Sequence, residues 1–223
     1  MQNRLPYLFA VTLALLLTSV PNANAQFGPY IEKGFGFGAG FSSSENTTQL
    51  GASAGYVFVP AFEIGVGVSR SSSDETDVTT TSVGPFVAVY PVRQSNDFPL
   101  SVYLGGSYSF VSFAGDAIDQ LEDQGVDLSG NVIGVQVGVY RSFDASDTFK
   151  IIPYAGVGYS RQNTEASGFG ESESNSEETT YFTVSGSLLF ETSETTHFAL
   201  TPSASFGDED SSFGISASLA LPQ

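Results

Sequence analysis

Large apolar residues alternate with glycine and serine along most of this chain. Residues 34–41 read Gly-Phe-Gly-Phe-Gly-Ala-Gly-Phe, and residues 213–221 repeat the pattern near the other end. Side chains of a β-strand point alternately to opposite faces, so a period of two predicts strands with one apolar face and one face of small residues. No segment sustains the spacing of an amphipathic helix, and the chain is therefore predicted to be all-β.

The alternating runs predict ten strands. They are expected near residues 30–42, 47–59, 62–71, 79–92, 98–113, 129–143, 149–162, 179–191, 196–206 and 211–221. Connections after the even-numbered strands are short, whereas those after the odd-numbered strands tend to be longer and acidic, and one contains the only candidate for a helical turn, residues 117–124. This arrangement is typical of an antiparallel up-and-down transmembrane β-barrel. Eight strands plus an extra hairpin is the alternative.

The composition of the second face separates a membrane barrel from a soluble sheet. A soluble sheet usually carries charged residues and threonine on its solvated face, partly to protect its edges. Here that face is mostly glycine and serine, which suits the crowded interior of a closed barrel whose apolar face meets lipid. We expect Gly, Ser and Thr to line the lumen, together with the scattered larger residues Glu63, Tyr103 and Gln136.

Residues 1–25 are predicted to be a cleaved secretory signal peptide. Arg4 provides the positive charge, residues 8–17 the apolar core, and Ala23-Asn24-Ala25 the small-residue cleavage site. The apolar stretch is shorter than the roughly 18 residues that a membrane-spanning helix needs. The mature chain is therefore predicted to begin at Gln26 and to form one barrel domain over residues 26–223.

Composition excludes several classes of function. The chain has 24 acidic residues, 7 Lys and Arg, and a net charge of −17, so it lacks the basic surface of a nucleic-acid-binding protein. With no cysteine, it has neither disulfides nor thiolate metal ligands. Most of the acidic residues lie in the longer connections, above all residues 116–127 and 163–178, where they would attract cations and repel anions.

Aromatic residues near the strand ends predict two belts at the membrane interfaces. One belt, near the short connections, comprises Tyr30, Tyr56, Phe58, Phe62, Tyr90, Phe98, Phe143, Phe149, Phe190 and Phe198. The other, near the longer connections, comprises Phe41, Phe110, Phe113, Tyr159, Tyr181, Phe182, Phe206 and Phe213.

The mature sequence resembles the small bacterial outer-membrane barrels of the OmpA-like and OmpW-like group. The residues behind the resemblance are Ala23-Asn24-Ala25, the Gly-Phe run at 34–41, Val83-Gly84-Pro85-Phe86-Val87, and residues 152–159. The resemblance implies a Gram-negative outer membrane, with long loops outside and termini in the periplasm. It implies lipid and lipopolysaccharide, periplasmic chaperones and the barrel-assembly machinery as partners. Members usually end in an aromatic residue, whereas this chain ends in Leu221-Pro222-Gln223.

No catalytic, cofactor-binding or metal-binding site is predicted, and we expect no enzymatic activity. His197 is the only histidine, and it lacks a Ser and Asp partner set of the kind that a hydrolase needs. Two functions remain open: a narrow porin-like passage for cations or very small solutes, and a non-conducting barrel that displays acidic loops for surface interactions. A soluble periplasmic ligand-binding barrel is a weaker third hypothesis. The sequence leaves the oligomeric state open.

Overall fold

The computed structural model describes residues 26–59, 61–73, 77–169, 171–207 and 211–223. The predicted signal peptide lies outside these ranges and stays a prediction. The strands are β1 (Gly34–Ser43), β2 (Thr47–Val59), β3 (Phe62–Ser73), β4 (Thr79–Val92), β5 (Ser101–Ala114), β6 (Val126–Tyr140), β7 (Phe143–Ser146), β8 (Phe149–Gly168), β9 (Glu171–Ser193), β10 (Thr196–Gly207) and β11 (Ser211–Pro222). The single helix among the described residues is α1 (Asp116–Asp123).

The strands close into a ten-stranded antiparallel barrel. Neighbours along the chain pair from β1 to β6, β6 then pairs with β8, and the order continues through β9, β10 and β11 back to β1. The short β7 continues β6, because Tyr140 faces Tyr154 and Phe143 faces Ile151 in the same register on β8. Ten strands, and not the alternative of eight, are therefore confirmed.

The two faces of the wall have the predicted composition. Phe35, Phe37, Ile64, Val66 and Val135 are among the large apolar side chains exposed on the outer face. Glu63 and Tyr103 are completely buried on the inner face, and Gln136 lines cavities in the lumen. Within the described ranges, no helix is long and apolar enough to cross a membrane.

The barrel has two unlike ends. At the tight-turn end lie the start of β1, the end of β11 and the connections β2–β3, β4–β5, β7–β8 and β9–β10. At the acidic end lie the other connections, including α1 between β5 and β6. The helix covers the predicted helical turn, with Ile118 and Leu121 buried.

Two predictions about the acidic end and the aromatic belts need correction. Residues 163–178 are not a long loop, because β8 and β9 continue as a hairpin to Gly168 and Glu171. The backbone ladder persists where the apolar alternation stops. Four belt residues are wrongly placed, since Tyr90 and Phe113 are buried inside the barrel, Tyr181 lines the lumen and Tyr30 precedes β1.

Candidate functional site

The N-terminal segment, residues 26–33, folds into the lumen at the tight-turn end. A turn forms there as the backbone N–H groups of Tyr30 and Ile31 donate to the Phe27 carbonyl oxygen, at 2.8 and 3.1 Å. Phe27 is completely buried, in a cluster with Ile31, Val57, Phe86 and Ala220. The apolar side chains of this segment thus plug the tight-turn end of the lumen.

Two glycines of the wall make room for the Phe27 ring. A Cβ added at Gly36 on β1 would overlap that ring, and a Cβ at Gly55 on β2 would lie 3.2 Å from it. Gly28 in turn packs directly against the ring of Tyr90. The small residues that alternate along β1 and β2 therefore have a packing role as well as a place on the inner face.

The Glu63 carboxylate holds the turn from the side of β3. It accepts hydrogen bonds from the Phe27 N–H at 3.1 and 3.2 Å, the Gly28 N–H at 3.0 Å and the Tyr90 hydroxyl at 2.7 Å. Burying a carboxylate is costly unless donors compensate for the lost water, and hydrogen bonds to a charged acceptor are the stronger kind. Two of the three donors are backbone N–H groups of the N-terminal segment, and the third is the Tyr90 hydroxyl.

Arg93 and His197 hold the segment from two further sides. The Arg93 guanidinium donates from Nη1 to the Gly28 carbonyl oxygen at 3.0 Å, and its central carbon lies 4.9 Å from the centre of the Tyr90 ring. The Nδ1 atom of His197 lies 3.0 Å from the Tyr30 carbonyl oxygen, which accepts the hydrogen bond. His197 was predicted to have no catalytic partners, and its contact here is with the backbone.

The side chain of Tyr30 reaches across the lumen. Its hydroxyl lies 2.9 Å from the Ser187 hydroxyl and 3.1 Å from the Thr201 hydroxyl, in hydrogen-bond contact with both. Burial raises the pKa of the Tyr30 phenol, so the group stays neutral. The segment is thus tied to β3, β9 and β10 by side chains around the whole tight-turn end.

Tyrosines fill the side of the lumen formed by β4, β5, β6 and β8. Tyr90, Tyr103, Tyr140 and Tyr154 project inward from β4, β5, β6 and β8, with ring centres 5.5 to 6.3 Å apart along the chain of contacts. The Tyr154 hydroxyl donates to that of Tyr103 at 3.3 Å. The tight-turn end is therefore closed by wall residues on one half and by the N-terminal segment on the other.

Two polar cavities lie in the lumen between the tyrosines at the tight-turn end and the acidic end. Their volumes are about 80 and 150 Å³, and both are lined by Gln26, Gln136 and Tyr181. The larger one is lined mainly by hydroxyl groups of β9, β10 and β11, including those of Ser185, Ser187, Thr201, Ser203, Ser216 and Ser218. Gln26, at the inner tip of the N-terminal segment, thus lies where the two cavities meet.

At the acidic end, α1 packs against the inner face of the wall. Ile118 contacts a cluster of Val78, Val111 and Phe113, and Leu121 clusters with Val126 and Ala166. The helix therefore covers part of the mouth beside β5, β6 and β8.

At the acidic end, β6, β8 and β9 form a sheet extension, defined as residues 126–133, 161–168 and 171–178. Residues 130–133 still pair with β5, whereas residues 126–129 do not. The β8–β9 ladder runs from Phe149 and Phe190 to Gly168 and Glu171, and β6 follows β8 as far as Val126. The β9–β10 ladder, by contrast, ends at Tyr181 and Gly207. In the described part of the chain, no second strand pairs with residues 171–180 on the side away from β8, and this strand edge of β9 is open.

The sheet extension is strongly acidic. It contains Asp127, Glu165, Glu171, Glu173, Glu177 and Glu178, against the single base Arg161. The Arg161 guanidinium lies 3.9 Å from the Glu178 carboxylate, and both side chains are about half exposed. Such an exposed pair compensates little of the negative charge. No group of three or more metal-binding side chains occurs among the described residues.

Comparison with solved structures identifies the fold. The β-domain of the Bordetella autotransporter BrkA is 11% identical, with 85% of this chain and 99% of that chain covered and a TM-score of 0.51. This is an outer-membrane β-barrel fold. The translocator domain of the autotransporter NalP from Neisseria meningitidis is 11% identical, with 96% and 93% covered and a TM-score of 0.47. Ail of Yersinia pestis is 12% identical, with 85% and 95% covered and a TM-score of 0.36.

The likeness to these outer-membrane barrels concerns the fold alone. No protein-family model matches the chain, and no curated protein matches it. Indications of function come from this chain's own lumen and sheet extension. The sequence pattern had not indicated either the N-terminal segment or the partners of Glu63. An isolated acidic residue on the small-residue face was the one signal that pointed there.

Proposed function

We propose that this outer-membrane barrel is a non-conducting anchor that displays its sheet extension at the cell surface, where the extension binds extended, positively charged segments of other proteins. In this proposal the acidic end faces outward and the tight-turn end faces the periplasm. Outer-membrane barrels have short periplasmic turns and longer extracellular elements, which supports this orientation.

The open edge of β9 is the observation that carries the proposal. An unpaired strand edge presents a row of N–H and C=O groups, with which an extended peptide can form the next rung of the sheet. Residues 171–180 offer such an edge for several rungs and pair with β8 on the other side. The hairpin is thus already ordered before a partner arrives, which lowers the entropic cost of binding.

The charge of the edge selects the partner. Like charges on facing strands repel each other, so a second copy of this acidic edge is disfavoured. An incoming strand with lysine or arginine at alternate positions would instead face Glu171 and Glu173. Attraction of this kind also accelerates encounter at low ionic strength.

A narrow cation passage is the second candidate function. The hydroxyl-lined cavities favour it. The N-terminal segment counts against it, because Phe27 and Ile31 fill the tight-turn end with apolar side chains. The absence of enzymatic activity stays an expectation.

Peptide binding to the refolded chain, residues 26–223, tests the proposal. The probe is a ten-residue peptide of alternating lysine and threonine, and the control peptide has proline at every second threonine, which removes backbone donors but keeps the charge. We expect the first peptide to bind more tightly. Equal binding of the two peptides would contradict pairing at the edge and leave only charge attraction.

A pair of charge variants tests which end binds the peptide. Neutralising Glu171 and Glu173 to Gln should weaken binding about three- to tenfold, as expected for one exposed and one half-exposed charge. The matched control changes Asp97 to Asn and Glu194 to Gln at the tight-turn end, where both side chains are exposed, and should leave the affinity unchanged. Similar losses in both variants would refute a site on the sheet extension.

A further inference from the structure

We infer that the N-terminal segment is a displaceable lid, held in place by Glu63, and that its displacement turns the closed lumen into a passage for small ions. This inference rests on the closed resting state proposed above and adds a means of opening it. The wall is complete without the segment, the segment fills a gap that the wall residues leave, and specific side chains fasten it.

The barrel wall is hydrogen-bonded independently of the N-terminal segment. From Gly34 onward, β1 pairs without interruption with β2 on one side and β11 on the other. Among the described residues, one backbone-to-backbone bond joins the segment to the wall, from the Gln223 N–H to the Lys33 carbonyl oxygen at 3.0 Å, at the rim. The other bonds to the wall described above come from side chains. Displacing the segment would therefore leave the strand ladder intact.

The N-terminal segment fills space that the wall itself leaves open. On the side of β11, β1 and β2 the inner face carries Ala220, Gly36 and Gly55, and the Phe27 ring lies against them. The four tyrosine rings of the contact chain at this end project from β4, β5, β6 and β8. Without the segment, the inner face at the tight-turn end of β11, β1 and β2 would keep only small residues and Val57, with Phe86 of β4 left in the same cluster.

The inner tip of the segment also lies between the two polar cavities. Gln26 lines both of them, and Tyr103 lines the smaller one beside it. Removing the tip would join the cavities to each other and to the tight-turn end. The resulting path would be lined by hydroxyl and amide groups, which suit hydrated ions, with the Glu63 carboxylate at its entrance.

Glu63 fastens the lid because its acceptor atoms meet the first two N–H groups of the turn. A glutamine at this position keeps the size but loses the charge and half of the acceptor capacity. Glu63→Gln should therefore loosen the lid without opening a cavity. Gly36→Ala should eject it by steric overlap with Phe27.

Single-channel recording of residues 26–223 in a planar bilayer tests the inference, with wild type, Gly36→Ala, Glu63→Gln and the control Gly51→Ala. Gly51 also faces the lumen, but a Cβ there would find its nearest atom at 3.5 Å, an ordinary contact. We expect no current steps from wild type or Gly51→Ala. Discrete steps should appear with Gly36→Ala and Glu63→Gln.

A cysteine at position 31 reports the lid directly, since the chain has no other cysteine. Ile31 is buried, so Ile31→Cys should react slowly with a water-soluble maleimide in the wild-type background. Adding Gly36→Ala overpacks the space around Phe27 and should raise the labelling rate about tenfold or more. The Gly51→Ala background should label like wild type.

The outcomes separate the lid from the closed anchor. Current steps from the wild-type barrel would overturn both. Rapid labelling of the introduced cysteine without current would overturn the lid inference and leave the non-conducting anchor standing. Slow labelling in the Gly36→Ala background would show that the space at Gly36 does not control the segment, and would also overturn the inference.

Discussion

The same strands form both ends of this barrel, but the two ends differ in what their side chains contact. At the tight-turn end, inward side chains meet a folded segment, and a buried carboxylate is satisfied by three donors. At the acidic end, β6, β8 and β9 continue past β5 and β10, and four of their six acidic residues, Asp127, Glu165, Glu171 and Glu178, are exposed. The tight-turn end is therefore defined by packing, whereas the acidic end is defined by its charge and by the open edge of β9.

The comparison shows that the ladder and the membrane have different boundaries. On β6 the outward residues change from Ile133, Val135, Val137 and Val139 to Asp127, Ser129 and Asn131, while the pairing with β8 continues unbroken. Backbone hydrogen bonds define where a strand ends, whereas the outward side chains define where lipid ends.

Removing the Glu63 carboxylate should have the largest effect on stability. Glu63→Ala leaves the Phe27 and Gly28 N–H groups and the Tyr90 hydroxyl without their acceptor, and we expect it to lower the free energy of unfolding by about 3–5 kcal/mol. Urea unfolding from lipid vesicles, followed by tyrosine fluorescence, measures the change. Glu191→Ala is the control, because its ion pair with Lys150 at 2.7 Å is partly exposed and should contribute less than about 1 kcal/mol.

A lysine on the outer face should then locate the membrane boundary on β6. Val135→Lys places a charge in lipid and should cost about 2–4 kcal/mol of unfolding free energy if position 135 lies near the bilayer midplane. Ser129→Lys lies on the same face of the same strand, opposite Glu165, and should change stability by no more than about 0.5 kcal/mol. Equal effects of the two lysines would mean that the sheet extension does not leave the membrane.

The fold could be predicted because the alternation that lipid imposes is visible in sequence. Large outward residues such as Phe37 and Val135 mark each span, and small inward residues mark the lumen. The pattern became uninformative at residues 163–178, where both faces of β8 and β9 are mainly polar, although Thr164 and Ala166 on the inner face are buried. The ladder there depends on pairing with neighbouring strands, which the residue types do not indicate.

The N-terminal segment was missed for the opposite reason. Tyr30 fits the apolar alternation of the first strand, which predicts it in that strand and in an aromatic belt. The strand begins only at Gly34. Gly36 and Gly55 were interpreted as small lumen residues, and nothing local indicates that Phe27 would fill the space beside them. Contacts between segments far apart in sequence, such as Glu63 with Phe27, leave no periodic signal.

Truncating Leu121 tests how firmly α1 is held at the acidic end. Leu121→Ala removes a buried side chain that packs on Val126 and Ala166, and should cost about 2 kcal/mol, the lower end of the range for a small cluster that can relax. Protease cleavage within residues 115–125 should become faster, because the helix would open more often. Gln120→Ala, at an exposed position on the same helix, should leave the cleavage rate unchanged.

Breaking the Arg161–Glu178 pair should have the smallest effect on stability. The two charged groups are 3.9 Å apart and about half exposed, so Arg161→Gln should change the free energy of unfolding by no more than about 0.5 kcal/mol. The same change removes the only base of the sheet extension and should therefore strengthen binding of the alternating lysine peptide, most clearly at low salt. An unchanged stability with tighter peptide binding would show that the charges of the sheet extension control binding without stabilising the hairpin. A large loss of stability would instead mean that Arg161 helps to hold the hairpin together, so that the acidic end depends on packing and pairing as the tight-turn end does.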